Sequence, residues 1–302
     1  MEFPLKTSIS GSFVAIVTPF DSKGRIDTKA LENLVQWQIE EGTQGIVCCG
    51  TTGEAITLSE KEREKVLSIV LFISQKKALV IAGSGTADTR QSVRLTEKMQ
   101  KLGADGCLIQ TPYYNRPTPR GSILHFQEIA KVGLPIIAYN NPARTTKLDL
   151  ETVVEIAKIP GVIAYKDSTG DLDFIRALRS LTSIPIFSGD DHLTLKTLQE
   201  GGVGAISVIG NLFPHLWRQM IDFGLEKKWS DAKKIENYLT PILDVLFLET
   251  NPQCVKLALH LKGKCKEYLR LPLVIPTQEN QEKIKNALDQ LDPLMIQESI
   301  LI

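Results

Sequence analysis

The sequence predicts an α/β protein, a (β/α)8 TIM barrel followed by a C-terminal helical appendage. Three observations carry this expectation. Eight short apolar runs, rich in Val and Ile and mostly uninterrupted, recur along the first two-thirds of the chain. Runs without polar alternation suit parallel strands buried on both faces. Segments of helical spacing lie between them, at about 25 to 30 residues per strand–helix unit, as in closed barrels. After residue 210 the strand signal stops and only helical patterns remain.

The expected strands are 13–18 (FVAIVT), 45–49 (GIVCC), 78–82 (ALVIA), 106–110 (GCLIQ), 135–139 (PIIAY), 162–166 (VIAYK), 184–188 (IPIFS) and 204–209 (GAISVI). Between the first two, 28–41 places Leu31, Leu34, Val35 and Ile39 on one helical face. The helix over 59–74 opens with Ser59 and has Glu62 three residues on, a capping-box pattern. Asp88 is a candidate N-cap for 88–102, and Gly42, Gly103, Gly133 and Gly201 mark helix ends. The tail reads as helices over about 212–227, 230–248, 251–262 and 278–291, with Pro241 expected to kink the second. Residues 1–229 are therefore assigned to the barrel and 230–302 to the helical domain.

Composition excludes several classes. Lys plus Arg and Asp plus Glu are both 35, so there is no basic excess for nucleic acid or polyanionic surfaces. No apolar stretch approaches a membrane span, and the N-terminal MEFPLKTSISGSF lacks the basic-then-apolar pattern of a secretory signal. A soluble cytoplasmic protein is expected. Cys48, Cys49 and Cys107 sit in strand-like runs and read as buried reduced thiols. Without a CxxC pair, or HExxH spacing among His125, His192, His215 and His260, no metal site is indicated.

In a barrel, chemistry sits at the C-terminal strand ends. Lys166 ends the run GVIAY, where an apolar wall would favour the neutral amine, a nucleophile toward ketones. The alternative is a strand-end lysine paired with Asp167 or reaching solvent. The loop GTTGE (50–54) has Gly50 and Gly53 for unusual backbone angles and close backbone approach, and backbone amides with the Thr51 and Thr52 hydroxyls for a small carboxylate. It could equally be a structural turn, and it is not a P-loop. Tyr139 could relay protons or be a core tyrosine; Arg144 could bind a carboxylate or form a surface ion pair. Tyr113 and Tyr114 lie in a Pro-bracketed loop suited to contacts. Asp190 and Asp191 read as caps of the next helix, Asp190 the stronger, and His192 as structural.

Taken together, GTTGE (50–54), PYYNRPT (112–118), YNNPART (139–145), YKDSTGD (165–171) and SGDD (188–191) resemble the 4-hydroxy-tetrahydrodipicolinate synthase (dihydrodipicolinate synthase) family, within the pyruvate-dependent lyases that include N-acetylneuraminate lyase. The resemblance spans essentially the whole chain, in order. It implies that Lys166 forms an imine with pyruvate and that Tyr139 relays protons. It further implies that Thr51 links Tyr139 to Tyr114, supplied by a neighbouring subunit of a homodimer or homotetramer. Thr52 would hold the pyruvate carboxylate and Arg144 that of aspartate semialdehyde, with Gly189 and the Ile206 carbonyl lining the pocket. No cofactor or metal is implied, and the partners are these small molecules rather than nucleic acid or membrane. Arg144 in its loop disfavours the sugar-acid aldolases and sialic acid lyases. A non-catalytic keto-acid sensor or a purely structural barrel would leave the Lys166–Tyr139–Thr51–Tyr114 set unexplained.

The chain also departs from the family pattern. Thr146 stands where Gly is common, Asn141 where an apolar residue is common, and Ala55 where Ser or Gly usually follows GTTGE. Relative to lysine-inhibited members, Ala87 replaces Asn, Gln91 replaces Glu, and Glu60 and Arg63 replace His. Weak or absent inhibition by lysine is expected; strong inhibition at sub-millimolar lysine would contradict it.

Overall fold

The computed structural model describes residues 9–298. Its strands are β1 (Gly11–Ala15), β2 (Gly45–Cys48), β3 (Leu79–Gly83), β4 (Gly106–Gln110), β5 (Ile136–Asn140), β6 (Val162–Asp167), β7 (Ile186–Ser188) and β8 (Gly204–Ser207). They pair in sequence order, all parallel, and β8 closes onto β1. The helices are α1 (Thr28–Glu40), α2 (Glu60–Ser74), α3 (Thr89–Leu102), α4 (Pro119–Ala130), α5 (Leu150–Ala157), α6 (Leu172–Leu181), α7 (Thr194–Gln199) and α8 (Pro214–Leu225), one after each strand. The tail adds α9 (Trp229–Leu246), α10 (Gln253–Leu261) and α11 (Gln278–Glu298). The chain is thus a (β/α)8 barrel with a helical C-terminal part.

Side-chain alternation sorts the strands into two cores. Phe13, Val47, Ile81, Leu108, Ile137, Ala164, Phe187 and Ile206 face inward and fill the barrel. The neighbouring positions, such as Val14, Ile46, Val80 and Tyr165, face the helix layer. That outer core runs without interruption into α9, α10 and α11 through Leu239, Ile242, Leu259 and Ile284, so the tail packs as part of the same body.

Local signals act where the sequence places them. Ser59 accepts from the Glu62 amide while Glu62 accepts from the Ser59 amide, completing the capping box. Asp88 caps α3, and Asp27, Thr118, Asp149 and Asp171 cap α1, α4, α5 and α6 in the same way. Each such cap is worth about 1 kcal/mol. All five cysteines are free and buried, and burial pushes the Cys107 thiol up to about 12.

Several strand ends differ from the sequence expectation by a residue or more, and three of them have identifiable reasons. β1 stops at Ala15 although the apolar run continues, because the next segment is a buried loop in which the Val17 amide donates to the Asn211 side chain. β7 begins at Ile186 rather than 184, after Pro185, which has no amide to give a ladder. β8 ends at Ser207 because the amides of Val208 and Ile209 donate instead to the Asp191 carboxylate. At the other end of the chain, α11 extends past the expected 291 to Glu298.

Candidate active site

The strand geometry brings Lys166 and Tyr139 together. β5 and β6 are in register at Ile136↔Val162 but then at Ile137↔Ala164, an irregularity that leaves Ile163 extra. This bulge makes Tyr139 the direct neighbour of Lys166; a regular ladder would have paired it with Tyr165. Tyr139 and Lys166 follow Ile137 and Ala164 by two residues, so both point into the barrel mouth. Lys166 Nζ lies 4.3 Å from the centroid of the Tyr139 ring.

Lys166 is 6 % exposed, so the solvent-seeking alternative does not hold. Pairing with Asp167 is excluded by parity. Asp167 points to the opposite face, where it accepts from the Tyr165 hydroxyl at 3.0 Å and the Thr169 hydroxyl at 2.8 Å. Burial holds its carboxyl above the usual range.

Gly189 follows β7 beside this lysine. A Cβ there would lie 2.7 Å from Lys166 Cε and also collide with Ser168 Oγ, so the lysine needs glycine as its neighbour. Ile206 faces the interior, opposite Phe13 in the ladder, and its side chain fills the barrel without lining the cavity. The cavity above Lys166 has a volume of about 680 Å³. Its walls include Thr51, Thr52, Tyr139, Arg144, Lys166 and Gly189. A smaller recess of about 270 Å³ opens beside it, sharing Thr51, Tyr139, Arg144 and Asn251.

The GTTGE loop is built differently from expectation. The left-handed backbone falls on Cys49 and Glu54, which flank the two glycines. Gly53 instead permits close approach: a Cβ would lie 3.2 Å from the Ile16 carbonyl oxygen. Thr51 is exposed to the cavity, and among the described residues no hydrogen bond joins it to Tyr139. The Tyr139 hydroxyl accepts instead from Asn141 Nδ2 at 2.7 Å and from Ser168 Oγ at 3.3 Å. Tyr114, at 95 % exposure and in left-handed backbone, lines neither cavity of its own chain.

Several contributors carry no local sequence signal. Residues 247–251, between α9 and α10, form one wall of the cavity. Asn251 Nδ2 donates to Thr52 Oγ1 at 2.9 Å, and Arg144 Nη2 donates to the Asn251 carbonyl at 3.1 Å. Arg144 is thereby held at the mouth by the tail. Glu54 anchors the GTTGE loop to the tail. Fully buried, it meets Lys256 Nζ of α10 at 2.6 Å and accepts from the Arg270 amide at 3.1 Å. Burial pulls the Lys256 ammonium below its usual range, and the Glu54 carboxylate opposes that shift. Arg270 in turn pairs with Glu62.

Asp190 caps the 3-10 turn after β7 by accepting from the His192 amide at 3.1 Å. Asp191 is not a helix cap. It turns inward, 2 % exposed, and takes the Val208 and Ile209 amides at 2.9 and 2.8 Å. Burial pushes its carboxyl up to about 6, against the pull of those amides and of nearby Lys166. His192 sits on the cavity rim, 3.3 Å from Asp244. Among the described residues no three His, Cys, Asp or Glu side chains converge as metal ligands. At the positions that depart from lysine-inhibited members, Glu60 pairs with Arg94 and Lys98, and Arg63 donates to the Ala55 carbonyl at 2.6 Å.

The chain as a whole is similar to known proteins. Residues 8–291 match the Dihydrodipicolinate synthetase family. The 4-hydroxy-tetrahydrodipicolinate synthase of Thermodesulfovibrio yellowstonii is 45 % identical over 92 % of this chain and 97 % of its own. That of Aquifex aeolicus is 40 % identical, over 92 % and 96 %. Among solved structures, the synthase from Methylacidiphilum fumariolicum SolV superposes with a TM-score of 0.94 at 38 % identity, over 97 % and 99 % of the two chains. The chloride-inhibited dihydrodipicolinate synthase from Acinetobacter baumannii, complexed with pyruvate, gives 0.92 at 40 %, over 94 % and 99 %. The chain belongs to the dihydrodipicolinate synthetase family.

Proposed function

We propose that this protein condenses pyruvate with L-aspartate 4-semialdehyde to 4-hydroxy-tetrahydrodipicolinate, a step of lysine and diaminopimelate biosynthesis, through a Schiff base on Lys166. The observation that carries the reading is the buried Lys166 amine, facing the cavity 4.3 Å from the Tyr139 ring centroid. Attack of that amine on the pyruvate carbonyl, with loss of water, gives an imine. Removal of a methyl proton gives an enamine, whose carbon attacks the aldehyde. The amino group of the incoming substrate then closes on the imine carbon and releases Lys166. Tyr139 carries protons for these steps, as a phenol at the reacting centre can.

Thr52 and Arg144 supply the carboxylate-binding groups. Arg144 lies exposed at the mouth and is positioned by the Asn251 carbonyl, which suits the second substrate rather than the first. Gly189 leaves room for the lysine, and the Ile206 carbonyl closes the floor. Tyr114 serves a neighbouring copy in a homodimer or homotetramer; its near-complete exposure supports that role. One structural relative is described as a monomeric dihydrodipicolinate synthase variant, so assembly varies among similar proteins. Residues 1–229 form the catalytic barrel and 230–302 the appendage in this reading, with α8 ending at Leu225 and α9 starting at Trp229. It also includes a cytoplasmic location; among the described residues no helix is long and apolar enough to cross a membrane. Inhibition by lysine is weak or absent.

The test is turnover with pyruvate and each candidate aldehyde. Preference for aspartate semialdehyde over sugar-acid aldehydes and N-acetylmannosamine supports the proposal. A better sugar-type substrate moves the assignment to another pyruvate-dependent aldolase.

A further inference from the structure

The hydroxyl of Tyr139 is held by two side chains to which nothing above assigns a role. A phenol oxygen has one proton to donate and two lone-pair directions in which to accept. Here Asn141 Nδ2 donates to it at 2.7 Å and Ser168 Oγ at 3.3 Å. With both accepting directions taken by donors, the single phenol proton can point at neither and is left facing the cavity. Thr51 holds no hydrogen bond to this oxygen among the described residues, so within the chain Asn141 and Ser168 set the direction of the proton.

Both residues are anchored independently through their backbones. The Asn141 carbonyl accepts from the amides of Arg144 at 3.0 Å and Thr145 at 2.9 Å and from the Thr145 hydroxyl at 2.9 Å. The residue that orients the phenol therefore also builds the turn carrying Arg144. Ser168 is pinned by its amide, which donates to the Asn140 carbonyl at 3.0 Å, and it occupies the space that a side chain at 189 would fill.

We infer that Asn141 and Ser168 are positioning residues that aim the Tyr139 proton into the cavity. The inference rests on the imine reading proposed above. Asn141 and Ser168 act only through Tyr139, so the loss of either should slow proton transfer without weakening pyruvate capture. One hydrogen bond of ordinary strength corresponds to about a fivefold to tenfold change in rate.

The experiment compares Asn141→Leu, Asn141→Asp, Ser168→Ala and the Asn141→Leu/Ser168→Ala pair with the parent protein. Three quantities are read on each: kcat, the fraction of protein trapped with pyruvate by borohydride, and the rate at which pyruvate methyl protons exchange with deuterium oxide. The expected result is an unchanged trapped fraction and an unchanged pyruvate KM in every variant. Methyl exchange and kcat fall together, about fivefold to tenfold for Asn141→Leu and further for the pair. Asn141→Asp keeps the size but presents an acceptor where a donor stood, and it should be slower than Asn141→Leu. Its size match keeps the test valid if the leucine variant folds poorly, and Ser168→Ala tests the second donor separately. Exchange and kcat unchanged in the pair, or Asn141→Asp as fast as the parent, overturn this inference and leave the imine reading standing. Absence of any trapped adduct in the parent overturns both.

Discussion

At the scale of single residues, the site depends on what lies beside Lys166. Gly189→Ala should abolish or greatly slow imine formation, since the added methyl would sit 2.7 Å from Lys166 Cε. It should also cost about 1 to 3 kcal/mol of stability through overpacking; pyruvate trapping and thermal unfolding measure the two effects. Tyr139→Phe should keep the fold and lose about 100- to 10,000-fold in kcat. Asp191 gives a pH signature. Burial raises its carboxyl from 3.8 to about 6, so the native state holds a proton there that the unfolded chain has already released. Its contribution favours folding most below pH 4 and is lost as pH rises through about 6. Asp191→Asn should therefore gain stability relative to the parent at pH 7 to 8 and show no gain at pH 4, by at most on the order of 3 kcal/mol. Urea midpoints at the two pH values check this, and an equal effect at both would contradict it. Asp191 also shows where local reading fails. Two adjacent aspartates before a turn both resemble caps, and only the distant amides of Val208 and Ile209 distinguish the second.

At the scale of elements, the barrel strands and their helices were legible because burial on two faces and capping chemistry are local. Lys166 at a strand end was legible for the same reason. The β6 bulge was not. A single extra residue, Ile163, decides whether Tyr139 faces Lys166 or Tyr165, and no composition signal marks it. Nor did the tail read as part of the site. Asn251 meets Thr52 across 199 residues and Lys256 meets Glu54 across 202. Contacts at such separation leave no periodic trace in either segment. Their energetic consequence is testable. Lys256→Met leaves the Glu54 carboxylate buried without its cation and should destabilise by about 3 to 5 kcal/mol. Adding Glu54→Gln should recover part of that loss, because no isolated charge then remains buried. A Lys256→Met protein as stable as the parent in chemical denaturation would show that the pair does not anchor the loop.

At the scale of the whole molecule, the GTTGE loop, the Arg144 turn and the tail form one continuous body, and what a second copy adds is read at Tyr114. Tyr114 stands 95 % exposed, in a strained backbone, and contributes to neither cavity of its own chain. If it completes a neighbour's site, two inactive variants should rescue each other. Lys166→Ala subunits retain Tyr114, and Tyr114→Ala subunits retain Lys166. Mixing and reassembling the two should restore activity, approaching one functional site per hybrid dimer, while each alone stays impaired. No recovery in verified hybrids would confine the site to one chain.

The central claim is that Lys166 forms the imine, and trapping tests it most directly. The protein is incubated with pyruvate, reduced with borohydride, and read by intact mass and peptide mapping. The account predicts one reduced pyruvyl adduct per chain on Lys166, absent from Lys166→Ala. A folded protein that gains no adduct, or gains it on another lysine, would contradict it.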